Sequence, residues 1–528
     1  MGDAPRRTRL SRKEALAAGM LLAVHAREAP ERPAVIAPGG ERTFDALNQR
    51  ANRLARALRA RGLEAGDAVA LLCSNRPEFA EAQYATQRAG LRLTPVNWHL
   101  TADEAAYILR DCEARALVAD ARFAATAAEA AAAAPDARVR LAAAGAIPGF
   151  ASYEDALAEQ SPDDLDDPVA GTSMLYTSGT TGRPKGVHRR ATSLRALGEV
   201  GRRVTHRAGE DLNLCTGPLY HAAPLAFSLT IPLAFGVGAV LMDGWDAEEA
   251  LRLVERHRIT HTHMVPTMFH RLLALPEETR ARYDLSSLRV VLHGAAPCPP
   301  HVKQRLMDWL GPVVYEYYAA TEGWGSFVTP EEWLARPGTV GRPDPGQVEV
   351  RDDGGRPVAP GRVGTLYLKA PDDDTRFRYF KDDDKTLRAY DAGGGYFTLG
   401  DVGYLDAEGY LFLSDRSADV INSGGVNVYP AEVDAVLLTH PAVGDVCCVG
   451  VPNREWGEEV RAVVELREGF EPSPALAAQI VEHCRAHLAH FKCPRRVDFA
   501  EALPRLDSGK IQRRVVREPY WAGHEKRI

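Results

Sequence analysis

The chain of 528 residues lacks any run of about 20 apolar residues, so its sequence offers no helix long enough to span a bilayer. It lacks an excess of positive charge. Its 64 Lys and Arg are set against 71 Asp and Glu, a formal charge of −7, which removes the electrostatic reason to cling to nucleic acid or to anionic membranes. Cysteine is sparse: Cys73, Cys112, Cys215, Cys298, Cys447, Cys448, Cys484 and Cys493 are scattered, with no C-x-x-C pair. That excludes a disulfide framework and a zinc ribbon, and it fits reduced thiols in a cytoplasmic protein. No internal repeat is present. The basic N-terminus (Arg6, Arg7, Arg9, Arg12, Lys13) precedes the apolar stretch Ala15 to Val24 and mimics a signal peptide. That stretch is short, rich in Ala and without a clear cleavage site, so a helix is the expected reading.

What is there is a globular composition, 45% hydrophobic and 26% charged, at a length that calls for at least two domains. Short apolar runs at Val69 to Cys73, Arg115 to Val118, Ala239 to Met242 and Val290 to His293 read as buried strands. Amphipathic stretches at Phe44 to Arg61 and Ala247 to His257 lie between them. Such alternation predicts doubly wound α/β layers. The Ala-rich segment Ala124 to Ala144 reads as a surface helix and linker. From Thr339 the apolar alternation of Gln347 to Val350 and Gly364 to Lys369 predicts a β subdomain of antiparallel strands. After Asp415 a small α+β unit is expected, with strands at Ala442 to Val449 and Ala462 to Leu466 and a helix over Ser473 to Ala489. The division is therefore a large domain over 1–415 and a small one over 416–528. The acidic runs Asp372–Asp374 and Asp382–Asp384 read as solvated loop tips, with metal ligation as the alternative. His257, His261 and His263, and separately His483, His487 and His490, read as packed or solvated faces before metal sites.

The segment Tyr176-Thr-Ser-Gly-Thr-Thr-Gly-Arg-Pro-Lys-Gly-Val187 follows the apolar pair Met174–Leu175 and so sits at a strand end. Gly179, Gly182 and Gly186 let backbone N–H groups approach an anion. Thr177, Ser178, Thr180 and Thr181 add hydroxyl donors, and Lys185 adds a mobile positive charge. The combination suits a polyphosphate. It is not a Walker loop, because Pro184 separates Arg183 from Lys185.

The loop resembles the signature of the adenylate-forming superfamily, which holds acyl-CoA synthetases, luciferases and the adenylation domains of peptide synthetases. Further motifs follow in the family's order, so the resemblance spans nearly the whole chain. Pro218-Leu-Tyr-His221 is similar to the aromatic motif at the acyl site. His293-Gly-Ala-Ala-Pro297 resembles the segment along adenine, formed here by Gly294, Ala295, Ala296 and Pro297. Tyr318-Ala-Ala-Thr-Glu322 resembles the Tyr-Gly-x-Thr-Glu pattern, with Ala319 in place of glycine. The resemblance implies that Tyr318 stacks on adenine, Thr321 bonds the α-phosphate and Glu322 holds Mg²⁺. Thr398-Leu-Gly-Asp401 is similar to Thr-Gly-Asp with the threonine shifted, and Asp401 is expected to take the ribose hydroxyls with help from Arg416. Ala418 stands where the family has Asp or Lys at the hinge of the small domain, which puts the balance between its two orientations in doubt. Ser423-Gly424-Gly425 resembles the small domain's loop for coenzyme A, and Leu503 to Ile511 resembles the terminal motif with Lys510 as the catalytic lysine.

These motifs imply an ATP-dependent carboxylate–CoA ligase using ATP, Mg²⁺ and coenzyme A. The small domain is expected to be mobile. Catalytic roles are expected for Lys510, Glu322, Thr321 and His221. The acyl pocket is expected around His221, Met264, Val265 and Trp324, where a bulky indole favours an aromatic, short- or medium-chain acid. A carrier-protein thiol or an amine is the alternative acceptor. The sequence leaves the oligomeric state open, with a homodimer as one arrangement.

Overall fold

The computed structural model describes residues 7, 9–177, 184–191, 201–296, 298–371, 375–416, 419–423, 426–453, 457–488, 490–506, 509 and 511–522. Two sheets form the heart of the large α/β part. One has eight strands, ordered Gly323–Val328, Val314–Ala320, Val290–His293, His261–Met264, Leu212–Cys215, Gly238–Leu241, Pro33–Ala37 and Gly40–Thr43. Its interior pairings are parallel, and both outermost strands run antiparallel. The other has six parallel strands, ordered Ala151–Ser152, Val139–Ala143, Ala114–Asp120, Ala68–Leu72, Arg92–Pro95 and Thr172–Ser173. The central strand Ala68–Leu72 is buried at every residue, as a strand covered by helices on both faces must be. The helix Phe44–Ala60 starts at Thr43, whose hydroxyl accepts the Ala46 N–H, and it sends Phe44, Leu47, Leu54 and Leu58 into the core shared by the two sheets.

One sequence expectation is corrected here. The Ala-rich stretch is no surface linker. Its helix Ala124–Ala133 buries Ala127, Ala130 and Ala131 against the six-stranded sheet, and Val139–Ala143 is a strand of that sheet. Small side chains allow the helix to lie close, so low complexity marks tight packing.

A six-stranded antiparallel sheet follows, with Thr339–Gly341, Leu411–Arg416, Asp401–Leu405, Gly364–Lys369 and Val348–Arg351 in order and Tyr396–Phe397 beside Gly364–Lys369. The last sheet joins Val426–Val428, Ile421–Ser423, Gly457–Leu466 and Val443–Asn453, with Arg496–Ala500 alongside. The helices Pro430–Leu437 and Pro474–His487 share a core with it. The architecture is a large α/β part with a β subdomain and a small α+β part. All eight cysteines are free, and among the described residues no helix is long and apolar enough to cross a membrane.

Candidate active site

The phosphate-type loop is closed by an antiparallel ladder in which Thr177 faces Lys185 and Gly186 faces Tyr176. Two bonds pin its ends: the Tyr176 hydroxyl donates to Asp111 (2.5 Å) and the Tyr107 hydroxyl to the Pro184 carbonyl (3.2 Å). Ser178, Gly179, Thr180, Thr181 and Gly182 lie outside the described residues. The strand Lys185–His188 pairs in turn with Arg378–Tyr379, which extends the loop's base toward the β subdomain.

Thr321 and Glu322 form the tip of a hairpin, because Ala320 faces Gly323 across it. Glycine is required at 323: a Cβ there would meet the Phe397 ring at 2.5 Å. The Arg189 guanidinium donates to the Thr321 carbonyl (2.6 Å). Burial pushes the Arg189 pKa down, and the Glu322 carboxylate opposes that shift. Glu322 is buried, and its Oε1 accepts the Tyr379 hydroxyl at 3.0 Å. Its second oxygen has no hydrogen bond to any described residue. A carboxylate held by one donor, with an oxygen to spare, fits a hard divalent cation. Ala319 is absent from the residues with positive φ, so the alanine that replaces the family's glycine costs no backbone strain. Tyr318, one residue earlier, donates its hydroxyl to Asp401 Oδ2 (2.7 Å). Asp401 follows Gly400, at φ +77°, and opens a strand whose backbone pairs with Arg416.

On the neighbouring strand end, Gly294 sits against Tyr317: a Cβ there would lie 2.6 Å from the tyrosine ring. Ala295 adopts φ +65°, a left-handed conformation that L residues rarely take. Pro297 lies outside the described residues. Beneath this segment His293, Lys303 and Glu316 form a buried group, with Lys303 Nζ 2.8 Å and His293 Nε2 3.4 Å from Glu316 Oε2. Burial alone would raise the Glu316 pKa, but Lys303 and then His293 outweigh it and hold the carboxyl down at about 2.

The expected acyl wall is aromatic. Trp324 stacks on Tyr317, with ring centroids 6.0 Å apart and 12° between planes, and Phe227 lies 4.6 Å from the same tyrosine ring. The Tyr317 hydroxyl meets His263 Nε2 at 3.0 Å. Burial, and then His293, lower the His263 pKa to about 3, so this imidazole is neutral. Met264 is buried at the end of the same strand, and Val265 precedes the helix Pro266–Ala274. His221 opens a short turn of helix, its ring 4.6 Å from Tyr220.

The small part reaches this region through the terminal loop, where the Thr267 hydroxyl donates to the Gly509 carbonyl at 3.3 Å. Lys510, Gly424, Gly425 and Ala418 lie outside the described residues, as does the Arg416 side chain. Ser423 pairs with Val426 and Gly457 in the small sheet.

Sequence reasoning missed several members. Asp382 is no idle loop tip: its Oδ2 lies 2.5 Å from Lys185 Nζ, and its Oδ1 caps the helix Asp383–Ala389. Asp383 and Asp384 are exposed, as expected; Asp372–Asp374 lie outside the described residues. Tyr317, Tyr379 and Arg189 carried no signal beyond residue type. The histidine groups are packed or solvated faces, as read: His261 and His263 are buried, while His487 and His490 are exposed. The His483 ring meets Thr439 and His487 bonds back to His483. His206, Asp211 and His261 converge. However, Arg289 occupies Asp211, and His261 is spent on Val204 and Thr260.

Residues 22–372 match the family profile of the AMP-binding enzymes, and residues 432–510 match their C-terminal domain. A fatty acid–[acyl-carrier-protein] ligase from Streptomyces coeruleorubidus is 34% identical over 516 residues, 96% of each chain. A 2-succinylbenzoate–CoA ligase from Geobacillus kaustophilus is 34% identical over 500 residues, 92% of this chain and 95% of its own. Among solved structures, an anthranilate CoA ligase in complex with anthranoyl-AMP superposes with a TM-score of 0.86 at 26% identity, covering 96% of this chain and 97% of its own. The chain belongs to the AMP-binding, adenylate-forming enzymes. Within them it is of the acyl-CoA synthetase type, an ATP-using acid–thiol ligase.

Proposed function

We propose that this enzyme joins an aromatic, short- or medium-chain carboxylic acid to coenzyme A through an acyl-adenylate, in a cytoplasmic setting. A carboxylate is a poor electrophile because its leaving group would be oxide. Attack of its oxygen on the α-phosphorus of ATP expels pyrophosphate and installs AMP, a good leaving group. The thiolate of coenzyme A then attacks the acyl carbonyl, forms the thioester and releases AMP.

The observation that carries this reading is the convergence of three separate elements. Lys185 stands at the mouth of the loop, Thr321 and Glu322 at a hairpin tip, and Tyr318 is tied to Asp401 beside them. In this reading Thr177, Ser178, Gly179, Thr180, Thr181, Gly182 and Lys185 surround the phosphates. Gly294 to Pro297 and Tyr318 border adenine, and Asp401 with Arg416 hold ribose. Glu322 would hold Mg²⁺, which supplies charge neutralisation on the phosphate oxygens when bound. Lys510 bridges carboxylate and α-phosphate, a preorganised cation where charge develops. The Thr267–Gly509 bond supports it, since it holds the residue before Lys510 against the acyl wall. The domains divide at 415/416. After adenylation the small domain turns, and the loop Ser423–Gly425 approaches for the thiol step.

Stacking of Trp324 on Tyr317 supports a compact, flat-walled acyl pocket closed near His221 and Met264. The likeness to a carrier-protein ligase keeps a carrier thiol as the second acceptor.

The test is pyrophosphate release with ATP and Mg²⁺ across aromatic, short, medium and long acids, with and without coenzyme A, for the wild type and Lys510→Ala. Acid-dependent release that turns over only with coenzyme A, and falls by roughly 10²-fold or more in the variant, is expected. Release that coenzyme A does not accelerate would move the acceptor to a carrier thiol or an amine. No release with any acid would sink the assignment.

A further inference from the structure

Lys185 and Asp382 are 197 residues apart in sequence, yet their side chains meet at 2.5 Å. Asp382 is held from several sides. Its Oδ1 accepts the Lys385 N–H at 3.0 Å, capping the helix Asp383–Ala389. Its backbone carbonyl accepts the Thr386 hydroxyl at 2.8 Å, and that hydroxyl oxygen accepts the Tyr379 N–H at 3.0 Å. Tyr379 is also the residue whose hydroxyl donates to Glu322. One rigid frame therefore carries both the carboxylate that grips Lys185 and the donor that orients Glu322. The Lys385 ammonium lies 4.4 Å over the Tyr379 ring, and burial together with the nearby Lys185 charge pushes its pKa down.

Such a frame has a consequence for the loop. Lys185 is the loop's cation for polyphosphate, and its ammonium cannot serve Asp382 and a phosphate oxygen at full strength together. We propose that Asp382 is a positioning residue for Lys185: it docks the ammonium at the mouth of the loop while no nucleotide is bound and yields it to the phosphate oxygens of ATP. The idea rests on the reading that the loop over 177–185 takes ATP. Lys185 is then pre-extended toward the site instead of sampling solvent, and the frame through Tyr379 keeps that position in register with Glu322.

Partly exposed pairs of this kind shift an equilibrium constant by only a few-fold. Removing the competitor should therefore tighten ATP binding by roughly three- to fivefold. Asn is as good a helix cap as Asp, so Asp382→Asn removes the charge and leaves the cap. The experiment is calorimetric titration of ATP with Mg²⁺, without acid, into the wild type, Asp382→Asn, Lys185→Met and the double variant. Thermal unfolding checks each fold, and Asp382→Ser replaces the Asn variant if that one fails to fold. Tightening by Asp382→Asn that disappears in the Lys185→Met background is the expected result, because coupling through the lysine is what a merely structural role would not produce. Equal tightening in both backgrounds would mean general repulsion of the nucleotide by the carboxylate and would overturn the proposal. Unchanged or weakened binding would overturn it too. Failure of the wild type to bind ATP would instead overturn the nucleotide reading itself.

Discussion

Replacing Lys303 by Met should destabilise the large domain strongly, and the penalty should depend on pH in a defined direction. Lys303 and Glu316 are both buried, with Nζ and Oε2 2.8 Å apart, and His293 is the other polar neighbour of that oxygen. The Glu316 carboxyl falls from an ordinary 4.5 to about 2 against the opposing effect of burial, chiefly through Lys303. At about 1.4 kcal/mol per pKa step, that difference corresponds to about 3 kcal/mol of stability. Removing one partner leaves an uncompensated buried charge, which costs about 3–5 kcal/mol. In the wild type a depressed carboxyl contributes stability that is present above its unfolded pKa and is lost as pH falls through about 2. In Lys303→Met burial dominates, the carboxyl titrates above its unfolded value, and stability is lost as pH rises. The gap between variant and wild type should thus be widest at neutral pH and narrow as pH falls from there toward about 4.5, the ordinary carboxyl value, because the variant's carboxyl takes up its proton over that range. Glu316→Gln in the Lys303→Met background should recover much of the loss, since no bare charge remains. The assay is urea denaturation followed by tryptophan fluorescence at pH 7.5, 6 and 4.5, with heating scans as a control. A loss under about 1 kcal/mol, or one that grows toward low pH, would refute the reasoning.

Three further outcomes are expected. Trp324→Ala removes the ring stacked on Tyr317, so kcat/KM should shift toward longer acids by roughly tenfold, in line with about 1–3 kcal/mol of apolar contact; an unchanged acid profile would show that the indole does not line the pocket. Gly323→Ala drives a Cβ to 2.5 Å from the Phe397 ring, so the hairpin tip must shift, and adenylation should fall by about 10²-fold while the melting temperature falls by only a few degrees. His263 is held neutral by burial, with a pKa of about 3, so activity measured between pH 6 and 8 should show no ionisation removed by His263→Gln; loss of a titration in that range would contradict the assignment.

Much of the fold could be read from the chain because its signals are local. The strand Val290–His293 and the helix Ala247–His257 coincide with their apolar patterns, because period and caps are properties of neighbouring residues. The Ala-rich stretch hides its buried face in the sequence because alanine carries too little contrast to show one; only the sheet it packs on reveals it. The site divides in the same way. Lys185, Thr321, Glu322 and Asp401 stand in ordered motifs, so the sequence by itself determined the chemistry, adenylation, and the order in which its parts appear. What only the tertiary structure decided is which distant residues complete them. Asp382 on Lys185, Tyr379 on Glu322, Tyr318 on Asp401 and Thr267 on Gly509 join segments 57 to 242 residues apart. No periodicity encodes such pairs. They arise where strand ends from different sheets are brought to one place, and there the local electrostatics of each group is set by neighbours that the chain supplies from elsewhere.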